Sequence, residues 1–249
     1  MFEVITRRKI FVALTTAAAV ILAVLSAGFG VKTVLRPALA MASSQVTVII
    51  DAGHGGVDGG SSSRDGAEEK DINLEIALKL RDLMTALGFD VIMVRETDIS
   101  IHDPSANTVR QKKVSDLHNR MKMMEVNAGA LYVSIHQNHY GAPGVKGAQV
   151  FYAPQVPEAK ELADSIQDSI KQMIQPENNR VIKASTDDIY ILHKARSTAV
   201  MVECGFMSNP TESVRLRNAE YQRKMAFAIA VGILNHINAD KSQQAIEIN

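Results

Sequence analysis

The feature that most restricts the fold is the apolar run Val46-Thr47-Val48-Ile49-Ile50, which stops at Asp51 and a cluster of glycines. A run of this kind, apolar on both alternating faces, is the signature of a strand buried on both sides rather than one facing water. The stretch from Gly53 to Gly66 is Gly/Ser-rich and reads as a loop. Ile72, Ile76, Leu80, Leu83 and Leu87 follow at spacings of four and three with Gly88 just beyond. That spacing predicts an amphipathic helix with a glycine stop.

The alternation continues. Asp90–Val94 and Leu131–His136 read as strands, separated by a polar stretch and a helix near Asn119–Asn127. Gln149–Tyr152 is a fourth strand, Glu158–Ile174 a helix opened by Pro157, and Gln175–Asp188 a polar loop. Ile189–Leu192 is expected as a short strand, Thr198–Glu203 as a longer one, and Tyr221–Ile237 as a closing helix. Strands alternating with helices predict an α/β fold: a single three-layer domain with a mainly parallel central sheet flanked by helices. No repeat or linker divides residues 45–240, so they form one catalytic-sized domain, with 241–249 as a tail.

Ahead of it, Ile10–Val31 is 22 residues without a charge, preceded by Arg7-Arg8-Lys9. At about 1.5 Å per residue such a helix covers a bilayer core of roughly 30 Å. It reads as a transmembrane anchor or as a signal helix cleaved near Ala38-Leu39-Ala40, with 1–9 as its basic flank and 32–44 as a linker. Either way the positive flank favours export of the body. The remaining chain carries 22 basic and 26 acidic residues. A mildly acidic body gives no footing for nucleic-acid binding.

Three expected strand ends gather polar groups: Asp51-Ala52-Gly53-His54, Ser134-Ile135-His136 and Val202-Glu203. Ligands of parallel α/β sheets bind at the carboxyl ends of strands. The single cysteine, Cys204, excludes an intrachain disulfide and a Cys-rich metal cluster, so any metal is held by His and carboxylate. His54 and His136 suit a catalytic zinc, which takes three protein ligands and leaves one position for water. Glu68, Glu69 and Asp71 are all placed to give the carboxylate, and spacing does not choose among them. Glu203, after an apolar strand, suits the base. The glycine loop lacks both G-x-G-x-x-G spacing and a P-loop lysine, and Cys204 reads as a small buried hydrophobe.

Taken together, Ile50-Asp51-Ala52-Gly53-His54-Gly55-Gly56, Glu69-Lys70-Asp71-Ile72-Asn73-Leu74, Ser134-Ile135-His136-Gln137-Asn138 and Val202-Glu203-Cys204-Gly205-Phe206-Met207-Ser208-Asn209-Pro210 resemble four ordered motifs of the zinc-dependent N-acetylmuramoyl-L-alanine amidases, the type 3 amidase family. The resemblance covers roughly residues 45–239. It implies one Zn2+ on His54, Glu69 and His136, with Glu203 catalytic, and hydrolysis of the amide joining muramic acid to L-alanine in peptidoglycan. Where family members usually carry a small residue after the third motif, this chain has His139.

Arg95, Arg120, Asn138 and His139 are the expected substrate contacts. The minimal layout, an anchor plus one catalytic domain, looks like the CwlD-type germination amidases of spore formers. That implies extracytoplasmic action in spore cortex, where muramic δ-lactam is made, and leaves room for a regulatory protein partner. Rival readings are a zinc carboxypeptidase cutting within the stem peptide and a wall-binding module without catalysis.

Overall fold

In the computed structural model, which describes residues 46–247, the opening apolar run forms strand β1 (Thr47–Ala52), buried on both faces. Helix α1 (Glu69–Ala86) follows and turns its Ile72, Ile76, Leu80 and Met84 stripe to the sheet. Gly88, at φ 88°, reverses the chain into β2 (Asp90–Met93). Helix α2 (Val109–Val126) leads to β3 (Leu131–Asn138), then β4 (Gln149–Tyr152) and α3 (Pro157–Met173). The two-residue β5 (Lys183–Ala184), the short α4 (Tyr190–Lys194), β6 (Ala199–Phe206), α5 (Pro210–Leu216) and α6 (Ala219–Glu247) complete the domain.

The sheet order is β2-β1-β3-β6-β4-β5. β2, β1, β3 and β6 are parallel, and β4 runs antiparallel to β6 with β5 alongside it. The reversal has a simple cause. Residues 139–148 join β3 to β4 in ten residues that include Gly141, Pro143, Gly144 and Gly147. A parallel return needs a crossover of a dozen or more. One face packs on α1, α3 and α6 around Ile76, Leu80, Ile166 and Ile229, and the other on α2 and α4 around Ile49, Tyr132, Met124 and Leu192. The mainly parallel three-layer domain expected from the sequence is the one observed.

Several local expectations need correction. The helix near Asn119–Asn127 begins at Val109, where Thr108 accepts from Gln111 N–H and the Gln111 side chain accepts from Thr108 N–H. This capping box starts a helix whose first half is solvated and so carries no apolar stripe. Ile189–Leu192 is not a strand: Tyr190–Lys194 form a helical turn with Ile191 and Leu192 buried. Pro210–Leu216, unexpected as a helix, is capped by Asn209, whose side chain accepts from Thr211 and Glu212 N–H. No helix among the described residues is long and apolar enough to cross a membrane, and the stretch Ile10–Val31 lies outside them.

Candidate metal centre

Register sets the site. On the face covered by α2 and α4, Asp51 lies beside Ser134, and His136 lies beside Glu203. His54 follows the end of β1, with Gly53 N–H still bonded to the Ile135 carbonyl at 3.1 Å. His54 has φ 61°. A non-glycine residue in the left-handed region is uncommon and concentrates at functional sites. Gly55 and Gly56 continue the same turn with φ 132° and 55°.

Glu69, the first residue of α1, is the point of convergence. Its Oε1 lies 3.0 Å from His136 Nδ1 and 3.3 Å from His54 Nε2. The other oxygen accepts from Ser61 N–H and Oγ–H at 2.8 and 2.9 Å. The donor atoms of His54, Glu69 and His136 all lie within 4.8 Å of one another. Of the three carboxylates that spacing left open, Glu69 alone joins both imidazoles. Gly53 makes the close packing possible, since a Cβ there would sit 2.1 Å from His136 Nε2.

A second carboxylate orients the first histidine. Asp58 Oδ2 is 2.9 Å from His54 Nδ1, and Asp58 Oδ1 meets Lys113 Nζ at 2.7 Å. Occupying Nδ1 leaves Nε2 as the nitrogen offered to Glu69 and to any ion. Burial alone would lower the His54 pKa, but the hydrogen bonds of Asp58 and Glu69 push it up to about 9. Burial would raise Glu69, yet His136 and His54 hold its carboxyl well below the usual range. Two imidazoles on one buried anionic oxygen make a donor set of the kind that suits zinc.

Glu203 completes the row. Its Oε2 is buried without a hydrogen-bond partner among the described residues. Burial pushes its pKa up to about 7, with His136 and His54 pulling down and Glu69 pushing further up. An unpartnered buried carboxylate oxygen beside the histidine pair is costly unless a cation or a proton donor arrives. Cys204, the next residue, faces the opposite side of the sheet, where burial raises its thiol far above the ordinary value.

The four expected substrate contacts occupy different places. Arg95 and Arg120 are each 2% exposed, and their donors go to the chain itself. Arg95 donates to the carbonyls of Ala52, Gly53, Lys70 and Thr97, while Arg120 donates to Ala52 and His54 carbonyls and to Asp51 and Asp116. They clamp the loop that carries His54, and Arg120 also lines the cleft beside the histidine pair. Tyr132 and Ser134 hydroxyls bind the other oxygen of Asp51 at 2.8 and 2.7 Å. Asn138 is half-buried at the end of β3, its carbonyl accepting from Met207 N–H. His139 is exposed and lines a separate hollow with Arg64, Tyr140 and Ser208, away from the histidine pair. The cleft beside that pair is walled by Lys113, Leu117, Asp188, Ile189 and Met201. The Asp51 network is not legible in the sequence because its partners Arg120, Tyr132 and Ser134 lie on other elements, whereas Asp58 stands four residues from His54 in a visible D-x-G spacing.

The N-acetylmuramoyl-L-alanine amidase family profile matches residues 48–235, most of the chain. The chain belongs to this family. The amidase is 34% identical over 189 residues to the germination-specific N-acetylmuramoyl-L-alanine amidase of Bacillus subtilis (strain 168), covering 76% of this chain and 78% of that one. Among solved structures it resembles the CwlD amidase from Clostridioides difficile in complex with the GerS lipoprotein, with 40% identity and a TM-score of 0.75 over 78% of this chain and 99% of that one. AmiC2 of Nostoc punctiforme matches at 29% identity and TM-score 0.67, covering 79% and 99%. The amidase is thus a cell-wall hydrolase of type 3, similar to CwlD.

Proposed function

We propose that His54, Glu69 and His136 hold one zinc ion, and that Glu203 moves the proton as the amide between muramic acid and L-alanine is hydrolysed. The observation that carries this reading is the meeting of three ligand donors within 4.8 Å beside a buried, partnerless Glu203 oxygen. When bound, the ion supplies Lewis acidity toward the amide carbonyl and toward water. Asp58 holds His54 in the tautomer that offers Nε2, and Arg95 and Arg120 fix the loop beneath it. Glu203, poised near neutrality, takes a proton from the attacking water and returns it to the departing alanine nitrogen. The water oxygen stays on the lactyl carbonyl carbon and the C–N bond breaks.

The likeness to a germination-specific amidase and to CwlD supports action on spore cortex, where stem removal exposes muramic acid for lactam formation. The uncharged run Ile10–Val31 behind Arg7-Arg8-Lys9 supports an exported chain, anchored there or cleaved near Ala38-Leu39-Ala40, and the likeness to CwlD supports a protein partner of the lipoprotein kind that the CwlD structure contains. The test is the full chain on purified peptidoglycan, with and without zinc, read by mass spectrometry. Free stem peptides beginning with L-alanine, formed only with zinc, are expected. Single amino acids released from stems that stay on the glycan would mean a carboxypeptidase, and a chain that binds no zinc would overturn the ligand set. Cortex from a strain lacking this chain should contain no muramic δ-lactam.

A further inference from the structure

The row of side chains does not end at Glu203. Directly opposite it on the antiparallel neighbour is Gln149, whose carboxamide is fixed at both ends. Gln149 Nε2 donates to the Val181 carbonyl at 2.8 Å, and its oxygen accepts from Arg180 Nη1 at 3.0 Å. Arg180 Nε donates to the Lys146 carbonyl at 2.8 Å, and its guanidinium lies 4.5 Å over the Phe206 ring. Every one of these partners is neutral. A guanidinium stacked on a ring and pinned by neutral acceptors is held ready for a planar anion.

Arg180 also lines an open cleft of about 630 Å³ together with Lys146 and Arg215. None of these three cations makes an ion pair among the described residues. Two carboxylates line the same cleft. Glu212 is buried and engaged, accepting from Gly147 N–H at 3.0 Å and Phe206 N–H at 2.9 Å. Glu177 is exposed. Three cations therefore face one uncommitted carboxylate, an imbalance that favours an anionic ligand.

We infer that this cleft is the subsite for a carboxylate of the stem peptide, on the leaving-group side of the scissile amide, with Arg180 as its contact. The inference rests on the amidase reading of the neighbouring site. Acetylated glycan is neutral, whereas stem peptides carry free carboxylates. The geometry agrees: opposite residues in a ladder hold their side chains about 5 Å apart. Gln149 thus links the two sites, as the ladder partner of Glu203 and the hydrogen-bond partner of Arg180 at 3.0 Å.

The test uses the full, zinc-loaded chain on two muropeptides that differ only in having stem carboxylates free or amidated. The wild type should prefer the free-carboxylate substrate by about tenfold or more in kcat/KM, mostly through KM. Arg180→Gln should erase that preference, bringing kcat/KM on the free-carboxylate substrate down to the level of the amidated one. Lys146→Ala, a change at the cleft wall with no hydrogen bond to lose from its side chain, should reduce the preference partway. Equal losses on both substrates in Arg180→Gln, or no wild-type preference, would overturn the subsite and leave the amidase reading intact. Calorimetry with the isolated stem peptide separates the opposite case. Tight binding that amidation abolishes, in a chain that cleaves neither substrate, would keep the subsite and sink the amidase reading. Inhibition by a phosphate-containing wall polymer without any effect of stem amidation would assign the cleft to phosphate instead and overturn the proposal.

Discussion

His136 and Glu203 are register partners across the parallel β3–β6 ladder, so an imidazole and an unpaired carboxylate stand side by side on one face of the sheet. The ladder fixes the proposed base relative to the proposed ligand through backbone hydrogen bonds, independent of loops. Glu203→Gln keeps the shape and removes the proton acceptor. Hydrolysis should fall by about 10²–10⁴-fold while zinc content, measured by elemental mass spectrometry, stays at one ion per chain. Activity within a few-fold of wild type would place the base elsewhere.

Metal loading should depend on pH through His54. Burial opposes its charge, but Asp58 and Glu69 raise its folded pKa to about 9, above the unfolded value of 6.5. Without metal, the stabilisation from this charged cluster is complete below about pH 6.5 and fades as the pH rises through about 9. A metal must displace that proton. Zinc binding at pH 7 should therefore release about one proton from His54, and affinity should climb about tenfold per pH unit toward pH 9. Calorimetry in buffers of different ionisation enthalpy reads both, and an affinity flat across that range would contradict the assignment.

Gly53→Ala tests the close approach. The new Cβ would meet His136 Nε2 at 2.1 Å, whereas a Cβ at Gly129 meets nothing within 4 Å. Gly53→Ala should lose zinc affinity by at least about tenfold, the scale of a displaced ligand or its support. Gly129→Ala should bind zinc as the wild type does. Competition with a chromophoric chelator compares them.

Arg120→Met removes the buried partner of Asp51. Burial would raise the Asp51 carboxyl, but Arg120 and the Ser134 and Tyr132 hydroxyls help hold it below its ordinary value. Leaving that charge unpaired should cost about 3–5 kcal/mol in urea unfolding. Adding Asp51→Asn should recover part of the loss. A double variant as unstable as the sum of the singles would show that the two residues act independently.

The fold was legible where burial was continuous. The β1 run, the Ile72–Leu87 stripe and the strand ending at His136 announced themselves because both faces, or one whole helical stripe, are apolar. The first half of α2 was not, since its cap holds it together while its surface stays wet. α4 is too short to show a period, and its isoleucine and leucine looked equally strand-like. At the site, His54, His136 and Glu203 stood out because polar groups after buried strands are expensive. Glu69 needed the family motif to separate it from Glu68 and Asp71. For the arginines, a sequence shows the charge but not the carbonyls of Ala52, Gly53 and His54 that take their donors.

The strand order carries a consequence for how the enzyme is made. β6, near the end of the chain, occupies the middle of the sheet between β3 and β4, which do not touch each other as strands. A chain interrupted before residue 199 has all three proposed ligands yet lacks the carboxylate and the strand that joins the two halves of its sheet. Synthesis delivers the proposed base, and the strand that joins the sheet, after every proposed ligand.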